Sequence, residues 1–414
     1  MVSTDLKTDT NVKLPVSFIV YGLIAFVAAQ FILFLNSNEV LTGQFRIPHV
    51  WMSAHFLTLG FAVMTAMGAM YQLVPVAFLT PIWNQTFGFF QFFVTAIGVT
   101  LFAILLGFRT NLAIYGGALT IIGILMFLFQ MAKTISIQKE KTTMTYFVIA
   151  ALICFFLTIA AGFLLAWNLA YGSTDYHVNI LYSHITLGVT GWFTLLIFGL
   201  SYKLVPMFSL SHGFTMKWAR PAYMVYLFGL VSTILSYWVN IPTISVIGFF
   251  LLFLGFWFFA LDMNEIISKR IKKKLDQPFS FSLFAIINGL IVHFLAFIVT
   301  LFNIHTENLW SWLIYLYIVT WILFSILGYL YKIVPFLWWT HKYSEKVGKE
   351  KVPTLKEMMD EKLGVTLYWL FIISTLGIIV SVGIQSGISL YVFTAIMTLT
   401  SIVYAYSIIK VLLK

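Results

Sequence analysis

The sequence predicts an all-α integral membrane protein. It has about twelve transmembrane helices in three four-helix repeats with pseudo-threefold symmetry, and both termini lie in the cytoplasm. Three observations predict it. The 414 residues are 61% hydrophobic and only 9% charged, with mean hydropathy +0.97, where a soluble domain carries roughly 25% charged residues. Apolar runs of about 20 residues, the length that crosses a bilayer core, recur along the whole chain. One eight-residue motif returns in register three times.

In chain order the apolar runs cover 15–36, 50–79, 85–107, 111–132, 145–168, 178–208, 221–240, 243–263, 281–303, 309–338, 365–385 and 388–409. Spans two, six and ten are the longest, so they tilt or project beyond the hydrocarbon. Phe (42) and Trp (13) are abundant, as suits lipid-facing surfaces and interfacial belts. Placing the N-terminus inside puts Lys7, Lys13, Lys133, Lys139, Lys141, Lys217, Arg220, the Lys269–Lys274 cluster and Lys342–Lys362 on the inner side. Only Arg46 and Arg109 remain outside. The net charge of +10 therefore reflects topology, not nucleic-acid binding. The Lys269–Lys274 cluster is placed to meet anionic lipid headgroups. The one cysteine, Cys154, excludes an intrachain disulfide and a cysteine-built metal site. Residues 1–14 are polar and the first apolar run is long enough to span, so no cleavable signal peptide is expected. The expected location is the plasma membrane of a bacterial-type cell.

The repeated motif reads Gly68-Ala-Met-Tyr71-Gln-Leu-Val-Pro75, Gly199-Leu-Ser-Tyr202-Lys-Leu-Val-Pro206 and Gly328-Tyr-Leu-Tyr331-Lys-Ile-Val-Pro335. Its tyrosines are 131 and 129 residues apart, one copy for every four spans. One membrane domain, 1–414, thus divides into repeats at about 1–140, 141–275 and 276–414. The same offsets align Gly60-Phe61, Gly191-Trp192 and Thr320-Trp321. Locally, proline is expected to stop each helix at the inner interface. Tyrosine is expected at headgroup depth, and glycine to permit close helix approach.

Ionisable residues inside a membrane are costly and point to function. His55 and His184 lie within apolar helices, and His55 precedes Tyr71 by 16 residues, about 24 Å along a helix. Both therefore sit toward the outer face. Neutral imidazole ligates haem iron or copper; the plain alternative is a hydrogen bond to a neighbouring helix. His177 precedes His184 by one heptad and shares its face, near the outer interface. His49, after Pro48, is interfacial. His293, deep in span nine, is expected to make a helix-packing hydrogen bond. His212 and His341 fall in inner loops and His305 in an outer loop. Met64, Met67 and Met70 read as packing rather than a metal path. No Asp or Glu occupies the middle of a span, since Asp262 and Glu265 come at an inner end, which argues against the usual ion-coupled transport. No phosphate loop and no Ser-His-Asp triad is present in recognisable context.

His184-Ile-Thr-Leu-Gly-Val-Thr-Gly191-Trp192, with Phe198-Gly-Leu-Ser-Tyr202-Lys-Leu-Val-Pro206, resembles an inner helix of haem-copper oxidase subunit I, especially the cbb type. Ser53-Ala-His55-Phe-Leu-Thr-Leu-Gly60-Phe61 is similar to the same pattern. The resemblance implies twelve spans, pseudo-threefold arrangement, cytoplasmic termini and metal ligands on helices two, six, seven and ten. The chain departs from the family at the ligands. Span seven has no histidine for copper, and the aligned positions on span ten are Leu313 and Tyr315, where the family has haem-ligating histidines. The usual binuclear centre cannot be assembled from matched residues, so whether the chain is an enzyme stays open.

What the resemblance leaves is a divergent member with one haem b in the outer half. His55 and His184 are the candidate axial ligands, with His177 beside them. Arg46 and Arg109 are placed to neutralise propionates, and Tyr315 is an alternative ligand. Copper lacks its usual ligand set. The role would be respiratory electron transfer, interaction with nitric oxide or oxygen, or haem and copper handling. The expected partners are the lipid bilayer and respiratory-chain or assembly proteins. Two other readings stay open: a permease for a small solute or metal on the same scaffold, and a non-catalytic subunit of a respiratory complex.

Overall fold

The computed structural model of the chain describes residues 10–414 except 44, 173–174, 240, 272–273 and 307. Lys7, Lys272 and Lys273, counted above with the inner basic residues, lie outside the described residues. Twelve helices among the described residues are long and apolar enough to cross a membrane: α1 (Lys13–Leu35), α2 (Pro48–Phe78), α3 (Gln85–Phe108), α4 (Thr110–Ser136), α5 (Thr143–Tyr171), α6 (His177–Ser209), α7 (Ala219–Val239), α8 (Pro242–Ser268), α9 (Gln277–Leu301), α10 (Leu309–Lys346), α11 (Glu361–Gly383) and α12 (Gly387–Val411). The apolar runs locate each helix to within a few residues, except at polar ends. There α8 and α10 continue past their apolar stretches, because backbone hydrogen bonding carries a helix on into charged sequence. That extension puts His341 on α10 rather than in a loop. Upstream, α11 begins at Glu361 because the Asp360 side chain accepts a hydrogen bond from the Leu363 N–H at 3.0 Å.

The three long helices share a feature that hydropathy does not show. Each widens into a π-helix, at Phe56–Val63 in α2, Thr186–Phe193 in α6 and Tyr317–Leu323 in α10. These stretches begin 14 to 16 residues ahead of Tyr71, Tyr202 and Tyr331. Threonine hydroxyls donate back into them: Thr58 to the Ala54 carbonyl (2.7 Å), Thr194 to Val189 (3.1 Å) and Thr320 to Leu316 (2.8 Å). Such bonds compete for the carbonyls of the ordinary ladder, and π-turns often mark functional segments.

The motif behaves differently from its local reading. Pro75, Pro206 and Pro335 lie inside their helices and do not end them. A proline removes the bond to the carbonyl four residues back; in α2 that carbonyl, on Tyr71, accepts instead from the Thr10 hydroxyl at 3.0 Å. The helices close later, with Leu79 (φ 52°) and Leu210 (φ 54°) left-handed. The next N–H groups, of Thr80 and Ser211, then bond to the Pro75 and Pro206 carbonyls at 3.1 and 3.0 Å. Nor do the tyrosines sit at headgroup depth. Tyr71, Tyr202 and Tyr331 are buried, bonded to Gln91 (3.0 Å), Asp262 (2.9 Å) and Ser407 (3.3 Å). A phenol buried in hydrocarbon needs a partner, and a neighbouring helix supplies it. The glycines do allow close approach: a Cβ on Gly68 would lie 2.8 Å from the Pro15 carbonyl oxygen.

The described residues form two compact units. Unit 1 comprises Met1–Gln138, Asp276–Phe281 and Ile326–Lys414; unit 2 comprises Lys139–Leu275 and Ser282–Ser325. Small residues let backbones touch where lipid offers no hydrophobic driving force between helices. In unit 1, a Cβ on Gly98 of α3 would meet the Thr120 nitrogen of α4 at 2.6 Å; in unit 2, one on Gly229 of α7 would meet the Leu252 nitrogen of α8 at 2.6 Å. Met64, Met67 and Met70 are fully buried in unit 1 as packing. The interior of unit 1 is aromatic. Phe26 stacks on Phe61 (4.7 Å) and meets Phe371 (5.9 Å) and Tyr404 (6.4 Å), whose hydroxyl donates to the Leu327 carbonyl at 2.7 Å.

Candidate functional site

His184 stands two residues ahead of the π-helix of α6. Its Nδ1 lies 2.9 Å from the Thr158 carbonyl oxygen on α5. A carbonyl only accepts, so Nδ1 carries the proton and Nε2 of the neutral ring is the bare base. Nε2 has no hydrogen-bond partner among the described residues. The ring lies against Gly162, where a Cβ would come within 3.0 Å of Cε1, so glycine makes the space it occupies. His184 is half-buried. A second-shell carbonyl on Nδ1 and a free Nε2 are the arrangement of a histidine that binds a metal.

His55 has the same tautomer for a different reason. Its Nδ1 bonds to the Trp51 carbonyl one turn back in its own helix, at 2.7 Å, and its ring meets the Phe102 ring edge-on at 5.2 Å. The predicted site residues divide between the units. Unit 1 carries His55, with Arg46 and Arg109 exposed and without an ion-pair partner among the described residues. Unit 2 carries His184, the exposed His177 and the half-buried Tyr315, whose ring meets Trp312 at 5.7 Å. No group of three His, Cys, Asp or Glu side chains converges among the described residues, so a many-ligand copper cage is not assembled there.

Sequence reading missed the densest polar cluster. In unit 2, His293 Nδ1 donates to the Gly289 carbonyl at 2.7 Å, which leaves Nε2 as acceptor. The hydroxyls of Tyr226 and Tyr317 approach that nitrogen at 3.1 and 3.4 Å and each other at 3.4 Å. Tyr226 also reaches the Thr190 carbonyl at 3.3 Å, and Tyr317 the Thr194 hydroxyl at 2.6 Å. Trp321 Nε1 donates to the same Thr194 oxygen at 3.1 Å. Nearer the His177 end, the Thr186 hydroxyl pairs with Tyr237 at 3.1 Å. His293 therefore does make a packing hydrogen bond, but within a network of α6, α7, α9 and α10. The signal in the sequence was Thr186, Thr190 and Thr194 at four-residue spacing, followed by Phe198 and Tyr202.

Phe198 ends the polar run. It stacks on Phe259 at 3.9 Å and meets Phe256 (5.1 Å), Tyr226 (5.2 Å) and Trp321 (6.2 Å). Beyond it, Tyr202 donates to Asp262, whose other oxygen accepts from the Trp218 N–H at 3.1 Å. That carboxylate is buried and satisfied, fastening the start of α7 to α8.

No family model and no curated protein matches the chain. A solved structure does: a chain of a haem-copper terminal oxidase dimer, determined by cryo-electron microscopy and described as giving insight into its catalytic mechanism. The likeness has a TM-score of 0.67 at 12% identity, over 99% of this chain and 83% of that one. The protein is thus an all-helical membrane protein with the haem-copper oxidase subunit I fold. At that identity the likeness defines the fold and leaves the chemistry to this chain's own residues.

Proposed function

We propose that the chain is a divergent, oxidase-like, multi-pass protein of the plasma membrane, with cytoplasmic termini and three four-helix repeats, that holds one haem b on His184. The observation that carries this reading is the His184 ring: Nδ1 fixed by Thr158, Nε2 unpartnered, and Gly162 beneath it. When bound, a haem on one histidine supplies a one-electron couple and an open coordination position for nitric oxide or oxygen. Thr158 holds the tautomer, Gly162 admits the ring, and Tyr315 is the second oxygen donor of the same unit. His177, at the exposed start of α6, faces water. His55 is the other candidate ligand, and the exposed Arg46 and Arg109 of its unit are the groups suited to propionates or lipid phosphates. The role that follows is gas binding or electron transfer beside respiratory-chain or assembly partners.

The test is the reduced-minus-oxidised absorption spectrum of protein purified from haem-replete cells. Wild type and His55→Ala are expected to show a b-type spectrum that His184→Ala lacks. Loss in both variants would make the two histidines joint ligands. A colourless wild type would overturn the haem reading. It would leave the permease or non-catalytic subunit, which the aromatic filling of both unit interiors favours.

A further inference from the structure

We propose that His293 is a proton-accepting site entered from the His177 end of α6 along Thr186, Thr190 and Thr194, and shut off from Asp262 by the Phe198–Phe259 stack. It stands on the unit 2 network alone and does not require haem.

The proton count makes the network switchable. Nε2 of His293 is its one basic nitrogen, and two phenol protons compete for it. When Tyr226 donates there, Tyr317 is released toward Thr194; when Tyr317 donates, Tyr226 turns to the Thr190 carbonyl. A proton arriving at the Tyr317 oxygen lets that phenol's own proton pass to Nε2. One O–H forms, one O–H breaks and one N–H forms; no electron moves and no other reactant is needed. The imidazolium so made lies among aromatic rings, with Phe256 at 4.6 Å, Tyr317 at 5.1 Å and Tyr226 at 5.8 Å, whose faces favour a cation. The residues packed on it are Thr190 and Thr194 from α6, Tyr226 from α7, Phe256 from α8 and Tyr317 and Trp321 from α10. The two tyrosines are the titratable ones, and none of these residues is a fixed charge. Toward Asp262 the path meets only carbon: Phe198 and Phe259 are fully buried and stacked, and a dry aromatic pair offers no oxygen to relay a proton.

The experiment uses the full-length protein in liposomes holding a pH-sensitive dye, with a potassium gradient and valinomycin driving proton entry. Wild type is expected to be as proton-tight as empty liposomes. Phe198→Ser should open a flux, and Phe198→Ser with His293→Ala should lose it. A folded, monodisperse Phe198→Ser protein that stays tight would overturn the proposal, as would a double variant that leaks like the single one. Should the variant not fold, wild-type protein carrying nitrogen-15 histidine decides by solid-state magnetic resonance. The imidazole with both nitrogens hydrogen-bonded should titrate reversibly as the pH is lowered. An imidazole that stays neutral until the protein unfolds would contradict the site.

Discussion

The interiors of the two units solve one packing problem in opposite ways. In unit 1 the rings of Phe26, Phe61, Phe371 and Tyr404 meet as an apolar cluster, and the single phenol spends its proton on a backbone carbonyl. In unit 2 Trp321, Tyr317, Tyr226 and His293 link hydroxyl to hydroxyl and leave an imidazole nitrogen as the common acceptor. Phe61 and Trp321 hold matching places ahead of the repeated motif, and both are fully buried. The scaffold therefore closes without buried polar groups. A network of them in only one unit, at the desolvation cost such groups carry, marks that unit as the one under a functional demand.

Substitutions sharpen the contrast, and the largest effects belong to the rings. Phe26→Ala should destabilise the protein by about 3–5 kcal/mol, as emptying a filled aromatic site does, read as a lower unfolding midpoint in detergent. A destabilisation below about 1 kcal/mol would mean that this interior is loosely packed. Next come the helix contacts. Gly98→Ala in unit 1 and Gly229→Ala in unit 2 each force two backbones apart and should cost about 1–3 kcal/mol. Equal losses would show that the units differ in their polar interiors and not in their hairpins. His293→Ala strands two phenols and should cost about 1–3 kcal/mol, against about 0.5–1.5 kcal/mol for Tyr404→Phe in unit 1. If the order reverses, the unit 2 network is no more tightly coupled than an isolated hydrogen bond. The smallest effect is expected at the Asp262 fastening. Asp262→Asn keeps one acceptor for two donors and should lose about 1 kcal/mol.

Much of this was legible in the chain, and the limits have physical causes. Apolar runs placed twelve helices because a bilayer imposes a length and a polarity on each. The repeated Gly-x-x-Tyr-x-x-x-Pro pattern marked α2, α6 and α10 as equivalent, and all three prove to hold a π-helix at the same distance from the motif. The motif's own roles were misread because they depend on neighbours. Pro75 is tolerated within α2 because Thr10, 65 residues earlier, takes the carbonyl it frees. Tyr202 is internal because Asp262 on another helix receives its proton. His184 stood out as an imidazole in an apolar helix, but its tautomer depends on Thr158 and the space for its ring on Gly162. The His293 cluster draws on four helices and has no local signature beyond threonines four residues apart.

The central claim is that His184 holds a haem whose sixth position is open. It is met most directly by the carbon monoxide difference spectrum of the dithionite-reduced protein. The account predicts a shifted Soret band in wild type and His55→Ala, saturating at one carbon monoxide per chain, and none in His184→Ala. A low-spin b-type spectrum that carbon monoxide leaves unchanged, or no haem spectrum at all, would contradict it.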